Sequence, residues 1–203
     1  MVALIFNEVL RADGEGLHGF FRVVAVPLAT STVWLAYIGP WADASARPGD
    51  AGHESVIGSL TQVARGTLLA MESDGRLAAI DLRPEGKMLL PSDDLGEDEK
   101  SLWERRRLLM EPFLNHEVVA DALVQTSGIG PVVRQALAAG DGTRATVYRL
   151  WRLLCQNGFD TSSLHPRFDR CGAPGALRPH QAGKKKVGPK TLREQRGEPI
   201  AHP

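Results

Sequence analysis

Residues 19–39 have the sequence GFFRVVAVPLATSTVWLAYIG, which contains two apolar bursts separated by a short turn segment. Each burst is rich in Val, Phe, Tyr or Trp, and Gly, Pro and Ser punctuate them, a pattern typical of β-strands joined by turns. A third burst, GRLAAIDL, follows at 75–82 after a loop-like stretch at 43–55. We therefore predict a small antiparallel β module over residues 1–83.

The apolar pattern changes to a period near 3.6 from Leu102 onward, which predicts amphipathic helices. Further helices are predicted at 117–126, from Pro131, and from an N-capping Thr143 to a stop at Gly158. The fold expected is α+β. Its predicted parts are a β module at 1–83, an acidic linker at 84–101, a helical domain at 102–158 and an extended Pro/Gly-rich basic tail at 159–203.

Charge is distributed unevenly along a chain whose formal net charge is zero. Residues 1–100 carry 8 basic and 15 acidic side chains, whereas residues 101–203 carry 16 basic and 9 acidic ones. Residues 142–203 alone hold 12 basic and 4 acidic side chains. A cationic end of this kind attracts an anionic polymer such as a nucleic acid.

The composition also indicates a compartment. The chain has two cysteines, Cys155 and Cys171, whose spacing fits neither a disulfide framework nor a zinc template. The opening MVALIFNEVLRAD is too short in apolar residues for a signal peptide, and no run reaches the roughly 20 apolar residues of a spanning helix. We expect a cytoplasmic protein with no membrane partner.

The last predicted helix carries the clearest functional pattern. Val147, Leu150, Trp151 and Leu154 lie within about 100° of one another and predict a buried stripe. The opposite face presents Ala145, Arg149, Arg152 and Gln156, with Tyr148 at its edge.

With the helix before it and the Gly-Asp-Gly turn at 140–142, this segment predicts a helix-turn-helix over residues 131–158. In such a motif the second helix enters the major groove, where Arg and Gln donate to base edges. The segment alone leaves an alternative open, an ordinary helical hairpin with a solvated basic face.

The segment AGKKKVGPKTLREQRG at 182–197 predicts a flexible basic strap that contacts phosphates or a minor groove. A basic linker that contacts nothing is the alternative. About six neutralised phosphates would give a log–log salt slope near −5. The predicted DNA-contacting residues are Arg144, Thr146, Tyr148, Arg149, Arg152, Lys184, Lys185, Lys186 and Lys190.

Other candidate sites are weaker. One candidate is a metal cluster or a Cys/His nucleophile pair formed by Cys155, His165 and Cys171. Cys155 falls near the interior side of its helix, where a small buried apolar residue is the commoner role of cysteine. We predict no catalytic residue and no metal ligand in this chain.

A family resemblance is carried by the segment 143–179 and the GKKKVGPK that follows at 183–190. Its pattern Leu-x-Pro-x-Phe-Asp-x-Cys-Gly-x-x-Gly starts at Leu164 and ends at Gly175. This region resembles the N-terminal part of TnsB-type transposases, relatives of Mu transposase and retroviral integrases. The Asn-Glu-Val at 7–9 and the VWLAYI strand are loosely similar as well.

The resemblance implies that the helix-turn-helix binds double-stranded DNA at transposon-end repeats on the bacterial nucleoid, with other transposition proteins as further partners. It also implies a ribonuclease-H-like catalytic domain beyond the basic linker, where three carboxylates hold two divalent metals. The chain given ends at Pro203, so we expect a truncated or split transposase that by itself requires no cofactor and does not cut DNA.

The interpretation includes one departure from the family pattern and two functional alternatives. The basic linker contains Val187-Gly188-Pro189-Lys190 where the family more often has Gly-Arg-Pro, which weakens the expectation of a minor-groove arginine. The main functional alternative is a protein-interaction module of a transposition complex with only residual DNA contact. A further alternative is an end-binding subunit whose catalytic partner is encoded separately.

Overall fold

An antiparallel sheet forms the centre of the fold, as described in a computed structural model for residues 4–14, 16–40, 57–82, 88 and 90–166. The sheet order is β4-β3-β2-β1-β5, and all neighbouring strands are antiparallel. The strands are β1 (Val9–Gly14), β2 (Leu17–Ala25), β3 (Thr32–Gly39), β4 (Leu60–Ala64) and β5 (Leu77–Ile80). The three predicted bursts correspond to β2, β3 and β5, whereas β1 and β4 escaped the sequence prediction.

Strands β2 and β3 are buried on both sides, which explains why their sequences are almost continuously apolar. On one side, a short helix α1 (Arg65–Ser73) connects β4 to β5 and buries Leu68 and Met71 against Phe21 and Leu35. On the other side, alternate residues such as Phe20 and Trp34 belong to the core that the remaining helices share.

Four helices lie on this second side of the sheet. They are α2 (Glu97–Leu114), α3 (His116–Thr126), α4 (Gly130–Ala139) and α5 (Arg144–Asn157). Helix α3 lies against β2 and α5 lies against β3, while α2 contacts α3, α4 and α5. The expected α+β class is confirmed at this level, and the described strands and helices all fall within one compact unit, Met1–Arg167.

Two boundaries differ from the sequence prediction. Helix α2 begins at Glu97 instead of Leu102. Residues 84–101 were predicted as an acidic linker or a lead-in to this helix, and Glu97, Asp98 and Glu99 form its first turn, where the positive end of the helix dipole favours them. Residues 159–166 were predicted as the beginning of an extended tail. Instead, Thr161–Leu164 form a 3-10 turn in which Leu164 is fully buried. The rest of the predicted tail, 167–203, lies outside the described residues.

Candidate nucleic-acid interface

The boundaries of α5 are set by local chemistry. The Thr143 Oγ1 accepts a hydrogen bond from the Thr146 backbone N–H at 3.2 Å, which satisfies one of the free amides of the first turn. At the other end, Gly158 has a φ of 112° and its N–H donates to the Leu154 carbonyl. Both capping residues were predicted from the sequence, and both predictions are confirmed.

Helix α5 has one buried and one exposed face, as its periodicity predicts. Its four predicted stripe residues are at most 2% exposed; they are Val147, Leu150, Trp151 and Leu154. Ala145, Arg149 and Arg152 are exposed on the opposite face, and Gln156 is half-buried. The helix is therefore fixed to the core along one side and presents a cationic surface along the other.

The exposed arginines of α5 are not engaged by the fold. Arg144, Arg149 and Arg152 make no hydrogen bond and no ion pair with any residue that the structure describes. Because a guanidinium always carries its charge and five donors, each of the three is available to an anionic ligand.

The two other residues of α5 that were predicted to contact DNA are less exposed to solvent. Tyr148 is half-buried and packs against the core, and Thr146 is half-buried with its hydroxyl 3.0 Å from that of Thr143. The four predicted tail lysines, Lys184, Lys185, Lys186 and Lys190, lie outside the described residues.

The connection between α4 and α5 is pressed tightly against α2. A Cβ placed on Gly140 would be 3.1 Å from the Cα of Leu109, and one placed on Gly142 would be 2.6 Å from the Leu109 Cδ2. At Gly140 a side chain would press on the backbone of α2, whereas at Gly142 it would meet the flexible end of the Leu109 side chain, so Gly140 is the more restricted of the two positions. This contact fixes the position of the start of α5 on the helical core.

A buried arginine fixes the other end of α5. Arg22 of β2 is only 4% exposed, and its Nε donates to the Cys155 carbonyl at 2.6 Å and its Nη2 to the Gln156 carbonyl at 3.0 Å. Its Nη1 donates to the backbone carbonyl and the side-chain Oδ1 of Asn7, at 2.8 and 2.9 Å. Burial lowers the pKa of Arg22 to about 10, so the side chain remains charged at neutral pH.

Sequence analysis missed this cluster. The only available signal was a charged residue in the middle of the apolar run FFRVV, which is unusual for a strand with one face in a core. The negative end of the α5 dipole stabilises the buried cation, since the last carbonyls of a helix lack partners of their own.

A further contact joins the middle of α5 to Gly58, which lies just before β4. The indole Nε1 of Trp151 donates to the Gly58 carbonyl at 2.9 Å. Gly58 has a φ of 80°, and a Cβ there would lie 3.0 Å from the Trp151 ring. The position of α5 is thus determined at its start, middle and end by residues distant in sequence.

The segment after α5 is attached to α2. The Trp103 Nε1 donates to the Thr161 carbonyl at 3.0 Å, and Arg106 Nη1 donates to the Leu164 carbonyl at 3.1 Å. The His165 ring meets the Trp103 ring edge-on, with 5.9 Å between centroids. These contacts explain why residues 159–166 pack onto the helices instead of extending away from them.

Cys155 and His165, the two described members of the candidate cysteine and histidine site, are both buried. Cys155 is fully buried, as its predicted packing role requires, and burial raises the pKa of its thiol, an effect that nearby Arg22 opposes. His165 is buried against Trp103, and Cys171 lies outside the described residues. Within the described part of the chain, no three His, Cys, Asp or Glu side chains are grouped as metal ligands would be.

Comparisons with known proteins add no assignment: the sequence matches no family model, and no curated protein matches it. Among the described residues, no helix combines the length and the apolar character that crossing a bilayer demands.

Proposed function

We propose that the chain binds double-stranded DNA, with α4 and α5 acting as a helix-turn-helix and α5 as the helix that enters the major groove. One observation carries the proposal: the exposed face of α5 holds Arg149 and Arg152, and neither is paired with a described residue. If these arginines served to stabilise the fold, we would expect them in ion pairs. Arg149 and Arg152 are instead available to a ligand.

The spacing of these arginines suits base contacts. Arg149 and Arg152 are three residues apart, so they are neighbours on one helix surface. The major groove admits one α-helix, and an arginine placed there donates in a bidentate manner to the O6 and N7 of a guanine. We assign Arg144, in the first turn, to a phosphate at the edge of the groove.

The charge of the chain favours the same ligand. The 12 basic and 4 acidic side chains of residues 142–203 place the cationic excess in α5 and the sequence that follows it. Lys184, Lys185, Lys186 and Lys190 add to this excess and are proposed as phosphate contacts.

The resemblance to TnsB-type transposases supplies the proposed biological target, the repeats at transposon ends. In this proposal the chain is the end-binding part of a transposase, located on the nucleoid and acting with other transposition proteins. In the family that the chain resembles, cleavage and joining of DNA, with their two divalent metals, belong to a ribonuclease-H-like catalytic domain.

The test begins with selection of preferred sites from a random duplex library, followed by fluorescence anisotropy on the selected duplex at several salt concentrations. We expect a log–log salt slope near −5, for about six phosphate contacts. The Arg149→Ala variant should weaken binding to the selected site by about 5- to 150-fold, the range for one lost base contact.

Arg76→Ala is the matched control, because it removes the same charge from an exposed arginine whose partner is Asp74, outside the helices. We expect it to change affinity by less than about twofold, as a surface substitution away from the interface would. Binding that is absent, independent of salt, or equally reduced by both variants would contradict the proposed function.

A further inference from the structure

Three successive arginines of α2, residues 105–107, play different parts in the fold. Arg106 donates to the Leu164 carbonyl, and the Arg107 guanidinium lies over the Trp103 ring, 5.7 Å from its centroid. Arg105 is exposed and makes no hydrogen bond, ion pair or ring contact with the residues that the structure describes. Of the three, Arg105 is the one that the described fold leaves unused.

The location of Arg105 follows from the contact between α2 and the α4–α5 connection. Gly140 and Gly142 pack onto Leu109, so the connection crosses α2 at that residue. Arg105 precedes Leu109 by four positions, which places it about 6 Å along the axis and only about 40° around it. Arg105 therefore lies on the same flank of α2 as the α4–α5 connection, one turn closer to the N-terminus of α2.

Arg107 projects in a different direction. It is two residues from Leu109 and therefore about 160° away around the helix axis. Its contact with Trp103 places it on the flank that holds the segment 161–164. The acidic residue of the connection, Asp141, is exposed and forms no ion pair with Arg105, so it does not occupy the guanidinium.

We infer that Arg105 is a phosphate-contacting residue and that the DNA-binding surface extends from α5 across the connection onto α2. This inference rests on the proposed function. A DNA strand carries one charge per about 3.4 Å of helix axis, so a backbone that passes Arg144 continues past neighbouring surface. A guanidinium fork matches phosphate oxygens in a bidentate manner, and contacts to phosphates make up half or more of the hydrogen bonds between proteins and DNA.

A phosphate contact has a distinctive signature. It contributes to affinity on every sequence alike and to the salt dependence, whereas a base contact contributes to discrimination between sequences. The probe is a fluorescein-labelled, mixed-sequence duplex of about 30 bp, or about three turns. Anisotropy is measured between about 50 and 200 mM salt, with the full chain and its variants.

We expect Arg105→Ala to reduce the magnitude of the log–log salt slope by about 0.9, the value for one phosphate. Arg105→Lys keeps the charge and should retain the slope. Arg107→Ala is the matched control, since it removes the same charge from the same helix on the opposite flank, and it should leave the slope unchanged. Thermal unfolding is recorded for each variant, and the exposed Arg105 predicts an unchanged midpoint.

The outcomes distinguish the inference about Arg105 from the proposed DNA-binding function. A slope for Arg105→Ala equal to that of the wild type would overturn this inference, while a loss of binding in Arg149→Ala would still support the proposed function. Equal losses in Arg105→Ala and Arg107→Ala would indicate general electrostatics and also overturn it. If the wild type does not bind the duplex, both statements fall.

Discussion

Replacing Arg22 by methionine tests the structural basis of the interface. The substitution keeps an unbranched side chain of similar length but removes the guanidinium that donates to the Cys155, Gln156 and Asn7 carbonyls. Asn7 Oδ1 would still accept from the Phe159 N–H at 3.1 Å. Three backbone carbonyls are therefore left without the donor they have in the wild type.

The expected magnitude follows from two opposing terms. Each buried acceptor left without a partner costs about 1–3 kcal/mol, and Gln156 is half-buried, so water can replace part of its loss. Burial of the charged guanidinium lowers the pKa of Arg22 to about 10, and this shift corresponds to a desolvation cost of about 3 kcal/mol. Replacing the cation by methionine removes that cost. No described carboxylate pairs with Arg22, so the substitution leaves no opposite charge behind.

We expect the lost hydrogen bonds to outweigh this relief, because all of them are made by one charged donor, and such bonds contribute about 1.5–3 kcal/mol each. The net loss in the free energy of unfolding should be about 3 kcal/mol, which corresponds to a midpoint lowered by about 6–12 °C for a unit of this size.

Urea unfolding followed by circular dichroism measures this free energy, and Arg76→Met serves as the control on an exposed arginine with an expected change below about 0.5 kcal/mol. Amide hydrogen exchange adds a local measurement, since the last turn of α5 should lose protection before the rest of the helix. An Arg22→Met variant as stable as the wild type, or more stable, would show that desolvation dominates and would refute the reasoning.

Three further predictions concern single residues. Gly19→Ala should lower the free energy of unfolding by about 3 kcal/mol in urea titrations, because Gly19 has a φ of 126° and a Cβ would lie 2.7 Å from the Gly39 carbonyl oxygen. A change below about 0.5 kcal/mol would contradict the predicted strain. Thr143→Ala should cost about 1 kcal/mol through loss of the N-cap, and Thr143→Ser should restore it; equal stability of the two variants would exclude the cap as the cause. Burial raises the pKa of Cys155, so the thiol stays protonated in the folded state while it ionises in the unfolded state near its ordinary value. Stability should therefore fall above about pH 9, by up to about 1.4 kcal/mol per pH unit more steeply in the wild type than in Cys155→Ala, and parallel pH profiles would contradict this.

Features set by local sequence were predictable. The Thr143 cap, the Gly158 stop and the buried stripe of α5 all depend on residues within a few turns of one another. β1 and β4 were missed because their sequences, VLRADG and LTQVA, contain polar residues and are too short to show alternation clearly. They become strands through pairing with β2, β3 and β5, a non-local effect that outweighs weak local preference.

The supporting contacts of the candidate interface could not be predicted for a related reason. Arg22 and Cys155 are 133 positions apart in the chain, and nothing in the FFRVV pattern shows what its arginine faces. In a sheet with one solvated face, that arginine would point to water. Here both faces are covered, so its side chain meets the end of α5. The exposed arginines were predictable because amphipathic periodicity alone determines which side of α5 faces solvent.

The covered sheet also decides which experiments can separate the roles of the two halves of the chain. Helix α5 depends on the sheet side through Arg22 and through the Trp151 indole, which donates to Gly58. A fragment that starts at residue 97 would expose the sheet-facing side of Trp151 and leave the last carbonyls of α5 without their buried donor. Its failure to bind DNA would therefore report a damaged helix, irrespective of what the β-strands contact. Substitutions at Arg105 and Arg149 leave these supporting contacts intact, so a loss of binding in those variants reports the surface itself.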